Sequence, residues 1–202
     1  MRFNVELPAR IKCITGNDKA NFCYVGCENG GVYKVDLTTG SAEEFSITKD
    51  VRVEAINQTI DGKTVFVGYS NGNVGVFDAT TGNKFKELSS IGIISFIEVD
   101  AANDLFVIAT SSRLIAIYSL QSITGRSNTF EQLDNDGVYL EMVTASDRPA
   151  TIKLTKTIRA LNIDSKTGNI YAYCSDQTLH RFPSKTADIV GELENHVTRK
   201  LN

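Results

Sequence analysis

Few side chains in this sequence could carry chemistry. There are two histidines, His180 and His196, and four cysteines, Cys13, Cys23, Cys27 and Cys174. A three-histidine metal site needs one more imidazole than exists, and neither histidine has the partners of a Ser-His-Asp triad. His180 falls in a strand-like run, whereas His196 lies near Glu192 and Glu194 in the tail. Cys23 and Cys27 share one strand-like run, and residues four apart in a strand lie on one face about 13 Å apart, too far for a single ion. The apolar neighbours of all four thiols mark core cysteines of a reducing compartment rather than a disulfide framework. Asn29-Gly30-Gly31 and Asn71-Gly72 are glycine-bearing loops, but each leads into a strand, so no helix N-terminus follows to hold a phosphate. Glu43 and Glu44 are placed on an outer strand for solvent rather than for acid–base work. The expectation is no catalytic residue, no metal and no cofactor.

Composition bounds the class of protein. The chain has 202 residues, 42% hydrophobic and 22% charged, with a net charge of −3 and the two signs interleaved. This is the composition of a globular domain with a buried core. No basic stripe is available to neutralise a run of phosphates, which argues against nucleic acid. No segment approaches the roughly 18 apolar residues of a membrane span, and Met1 to Pro8 lack a secretory apolar run. These features predict a cytoplasmic protein with no membrane span.

What must position the few polar candidates is a repeat. Val25-Gly26-Cys27-Glu28-Asn29-Gly30-Gly31-Val32-Tyr33-Lys34-Val35-Asp36, followed by Thr38-Thr39-Gly40, recurs 42 residues later as Val67 to Asp78 followed by Thr80-Thr81-Gly82. A third copy, Ile108 to Ser119, has lost the glycines and kept the apolar pattern, and a fourth runs from Ala172 to Phe182. In the second copy the alternation gives strands Val53 to Gln58, Thr64 to Tyr69, Val74 to Asp78 and Lys84 to Leu88, with Asp61-Gly62 and Asn71-Gly72 at the hairpin turns. A lone meander of this size cannot bury both faces, so equivalent sheets must stack around an axis. The reading is an all-β, propeller-like fold of four consecutive four-stranded antiparallel blades at about 10–48, 51–90, 92–133 and 157–194, with an insertion at 134–156.

The stretch Ile60 to Asp78 resembles a WD repeat from its first hairpin turn to its third strand, and Ser175 to Phe182 resembles the matching part of a fourth copy. The chain has no tryptophan, and Val35, Phe77, Tyr118 and Phe182 stand in that place. Without the Gly-His pair and the tryptophan, the family's His-Asp-Ser-Trp cluster cannot form, so blade rigidity must come from apolar packing. The same stretch is similar to quinoprotein-type propeller repeats, whose periplasmic setting fits poorly here. The WD resemblance implies a non-catalytic scaffold for other proteins, a subunit of a larger complex, by analogy of fold.

In that family, residues that enter and begin the innermost strand line the face where partners dock. Carried through the repeat register, these are Arg10 and Lys12, Arg52 and Glu54, Ile93 and Ser95, and Thr157 and Arg159. Arginine at such a rim suits an acidic or phosphorylated segment of a partner through bidentate hydrogen bonds. The segment Arg126 to Lys156, with Tyr139 and Arg148, reads as an extra hairpin, an extended last strand or a solvated loop, and is the second candidate binding region.

The ends leave two arrangements open. Either Arg2 to Leu7 pairs beside the fourth blade and closes the ring, or an incomplete propeller exposes its end faces and requires a homodimer or a partner chain. Ile189 to Leu193 reads as the fourth blade's outer strand; Ile189, Leu193, Val197 and Leu201 also fit one helix stripe, which Gly191 disfavours. A propeller that binds or acts on a small molecule in its channel is the third alternative.

Overall fold

The computed structural model describes residues 4–17, 20–90, 92–125 and 149–183. Three four-stranded antiparallel meanders and a three-stranded one follow in chain order. The first contains β1 (Ile11–Gly16), β2 (Phe22–Cys27), β3 (Gly31–Asp36) and β4 (Ala42–Ile47). The second contains β5 (Val53–Gln58), β6 (Thr64–Tyr69), β7 (Asn73–Asp78) and β8 (Lys84–Ser89). The third begins with β9 (Ile94–Asp100), β10 (Leu105–Thr110) and β11 (Leu114–Ser119), and after it come one helical turn, α1 (Leu120–Thr124), and β12 (Ala150–Lys153). The fourth contains β13 (Ile158–Asp164), β14 (Asn169–Cys174) and β15 (Leu179–Phe182). The strands of the second meander agree with the sequence expectation to within a residue.

The third blade differs from that expectation. Its outer strand is β12, paired with β11 through Leu114↔Lys153 to Ile117↔Ala150, so the blade extends past 133 into the stretch read as an insertion. After β11 the chain turns into α1, capped by Ser119 and with Leu120 and Ile123 buried, where the second blade has the turn between its third and fourth strands. The reading of an outer strand at Ile189 to Leu193, and the competing helix stripe, lie outside the described residues.

The blades stack face to face on apolar residues. Tyr24 and Val32 of the first meet Val53, Ile56, Val65 and Val67 of the second. Phe66, Val74 and Val76 of the second meet Ile94, Ile97, Phe106 and Ile108 of the third. Val107, Ala109 and Ile115 of the third meet Ile158, Leu161 and Ile170 of the fourth. Asparagines stitch successive blades: Asn17 Nδ2 donates to Ile60 O at 2.9 Å, Asn57 Nδ2 to Ile97 O at 2.8 Å, and Asn103 Nδ2 to Ser165 O at 3.0 Å.

Inner strand packs on inner strand from β1 to β5, β5 to β9 and β9 to β13, and no packing of comparable extent joins β13 to β1. Among the described residues the array is therefore an incomplete propeller. Ring closure by the N-terminal segment is overturned for its described part. Val5, Leu7 and Ala9 lie instead on the outer face of the first blade, against Cys23, Val25, Cys27, Tyr33 and Val35. They form no strand.

Candidate functional site

Each inner strand opens with the same device. The N–H of Glu28 donates to Arg10 O, Ser70 to Arg52 O, Ser111 to Ile93 O and Ser175 to Thr157 O, at 2.8 to 2.9 Å. Two residues later the pairing register slips by one in every blade, between Ile11 and Cys13, Val53 and Ala55, Ile94 and Phe96, and Ile158 and Ala160. Lys12, Glu54, Ser95 and Arg159 are thus the extra residues of four equivalent β-bulges, released from the ladder as bulges release a side chain. The repeat register grouped these positions from sequence. The bulge that frees them leaves no sequence signal, because an inserted residue looks like any other until its partner strand is placed.

The bulges bring three of the candidates together. Lys12 Nζ lies 3.2 Å from Glu54 Oε2, across the joint between the first and second blades. Arg52 Nε donates to Glu54 Oε1 at 2.9 Å, and the Glu54 side chain is only 15% exposed. One carboxylate therefore answers two cations, and little of its charge is left for a partner. Arg10 and Arg159 are exposed and have no ion pair among the described residues. Tyr139 and Arg148 lie outside the described residues.

An open groove of about 820 Å³ runs between the second and third blades at the opposite, hairpin end, lined by Thr59, Asp61, Lys63, Asp78, Asp104 and Gln121 among others. Its carboxylates hold the groove's own turns. Asp61 Oδ1 accepts from Thr59 Oγ1 at 2.6 Å and from Lys63 N at 3.1 Å. Asp78 Oδ1 accepts from the N–H groups of Thr80 and Thr81, and Asp104 from Ser119 Oγ and Gln121 N. The hydroxyl of Thr59 holds the Asp61 carboxyl below the usual carboxylate range. Among the described residues no three His, Cys, Asp or Glu side chains gather as a metal would require.

The thiols are core groups. Cys23, Cys27 and Cys174 are buried, all four cysteines are unpaired, and desolvation pushes Cys13 up to about 12. A thiol so shifted is no nucleophile at neutral pH. His180 Nε2 lies 3.1 Å from Thr178 Oγ1, and its ring stacks on Phe182 of the same strand. Gln58 is buried on β5 with neither amide atom bonded among the described residues, where the equivalent residues of the next two blades, Val99 and Ile163, are apolar.

The end faces of the array, which the sequence leaves open as a partner surface without singling out residues on them, carry exposed apolar side chains. Ile11 is 53% exposed and Ile14 65% exposed on the first blade; Tyr173 is 41% and Leu179 65% exposed on the fourth. Registers place Ile11 and Ile14 where the later blades have Val53 and Ile56, Ile94 and Ile97, and Ile158 and Leu161. All six of those residues are buried between blades. The exposed pair is an inter-blade contact without its other half.

No helix among the described residues is long and apolar enough to cross a membrane. No protein-family model matches the sequence, and no curated protein matches it.

Proposed function

We propose that this chain is a non-catalytic protein-interaction module, a divergent WD-like blade array acting as a subunit of a larger assembly, and that its open end faces are the principal binding surface. The supporting observation is the exposure of Ile11 and Ile14 at positions that are buried in every other blade. Large apolar side chains left together on a sheet face mark an interaction surface in a globular protein. The rim offers a second reading, favoured by exposed Arg10 and Arg159, which suit an acidic or phosphorylated segment. Lys12 and Arg52 contribute less there because Glu54 already binds both.

The two surfaces separate experimentally. Wild-type chain, Ile14→Asp and the Arg10→Glu/Arg159→Glu double variant serve as parallel baits under identical conditions. A protein held by wild type and the double variant and lost by Ile14→Asp supports the end-face reading. Loss only with the arginine variant moves the site to the rim, and equal retention by all three contradicts both.

A further inference from the structure

The joints inside the array show what an end face would accept. In each joint a small residue on the second strand of one blade makes room for the first apolar residue of the next. A Cβ on Gly26 would lie 3.0 Å from Val53 Cβ, and one on Gly68 would lie 2.9 Å from Ile94 Cβ. In the third blade the equivalent residue is Ala109, fully buried in the cluster that contains Ile158. Registers Cys13↔Gly26, Ala55↔Gly68, Phe96↔Ala109 and Ala160↔Tyr173 put Tyr173 at the same position in the fourth blade. Where three blades have a seat, the last has a phenol.

This asymmetry separates the two ends. The first blade keeps the plug, Ile11 with Ile14, and the fourth has lost the matching seat. Tyr173 therefore blocks closure of the array on itself, and it blocks head-to-tail joining of two copies in the internal register, since the plug would meet an aromatic ring where it requires a hydrogen or a methyl. The N-terminal Val5, Leu7 and Ala9 cover the middle strands of the first blade and leave Ile11 and Ile14 open.

We infer that Ile11 and Ile14 are a docking plug for a β-blade of a different polypeptide, one that carries glycine or alanine at the position matching Gly26, Gly68 and Ala109. The inference rests on the end-face reading of function and names its partner. The partner's blade meets Ile11 and Ile14 through its inner and second strands, as β1 and β2 meet β5 within this chain, because Val5, Leu7 and Ala9 already cover the middle strands of the first blade.

The test rebuilds the seat on the chain itself. Ile14→Cys supplies a reporter thiol, alkylated under native conditions and located by peptide mass, and Tyr173→Gly or Tyr173→Ala is added to it. Tyr173 is partly exposed, so its truncation leaves the fold in place; a thermal melt verifies this for whichever variant is used. The expected result is that the seat variant slows alkylation at position 14 about tenfold or more, as for a site covered at least nine-tenths of the time. Covering comes through closure or through head-to-tail assembly, which light scattering tells apart. Replacing Ile11 by Asp in that variant restores the fast rate. A folded seat variant that labels as fast as its Tyr173 parent overturns the plug. Self-association of the wild-type chain that Ile14→Asp abolishes overturns the choice of a different polypeptide. Either failure leaves the bait comparison above intact, because that experiment reads any partner on this face.

Discussion

Val53 of the second blade occupies the space that a side chain on Gly26 of the first would need, and Ile94 stands in the same relation to Gly68. Shape at this one point fixes how closely consecutive blades approach. Inter-blade packing depends on it because the array has no tryptophan-centred hydrogen-bond cluster to hold its blades.

Gly68→Val forces a branched side chain into the Ile94 and Ile97 contact and should cost about 1–3 kcal/mol, the usual penalty of overpacking a tight core. Denaturant titration reads it as a lower midpoint. Gly16→Ala is the control, since nothing lies within 4 Å of a Cβ there, and it should leave the midpoint unchanged or slightly raised. Equal midpoints for Gly68→Val and wild type would contradict the account of the joint.

The turn after the second strand of each blade is left-handed at one residue: Gly30 (φ 81°), Gly72 (φ 90°), Arg113 (φ 64°) and Gln177 (φ 68°). A non-glycine residue pays roughly 1–2 kcal/mol for that conformation. Gln177→Gly removes this strain at an exposed position and gives back part of it as chain entropy, so a net gain of up to about 1 kcal/mol is expected, read as a higher melting temperature. A lower melting temperature would mean that the Gln177 side chain contributes more than the strain it carries.

These two features show what the sequence makes legible. The shift that carries Val25-Gly26 onto Val67-Gly68 gives the blades, their strands and the equivalence of Arg10, Arg52, Ile93 and Thr157 without any structure. The turns at Arg113 and Gln177 are hidden, because a left-handed residue is legible only when glycine or asparagine occupies it. The outer strand β12 is legible only as one of the readings of Arg126 to Lys156, an extended last strand, because a strand far along the chain pairs by reach and local alternation cannot say with what. The Lys12–Glu54 pair spans two blades, so spacing along either strand does not reveal it. Tyr173 is in plain view as a residue, but its meaning requires knowing that Gly26, Gly68 and Ala109 are seats.

Glu98, in register with Val107 on the inner strand of the third blade, has its carboxyl pushed by burial up to about 7 from 4.5. The protonated form is thus favoured more in the fold than in the unfolded chain. Its contribution is full below about pH 4.5 and is lost as pH rises toward 7. Glu98→Gln keeps a neutral group at every pH. Against wild type it should flatten the fall in stability across that window and be more stable above pH 7, by roughly 1–2 kcal/mol once partial exposure is allowed for. Parallel stability profiles from pH 4 to 8 would place Glu98 in water rather than between blades.

The central claim is that Ile14 is an inter-blade residue with no blade against it. Single-cysteine reporters at Ile14 and at its register equivalents Ile56 and Leu161, alkylated under native conditions and quantified by peptide mass, measure this directly. The account predicts that the thiol at 14 labels at close to the rate found in denaturant, and that those at 56 and 161 label far more slowly. Protection at position 14 equal to that at 56 and 161 in the purified chain would contradict it, because the first blade would then already be covered.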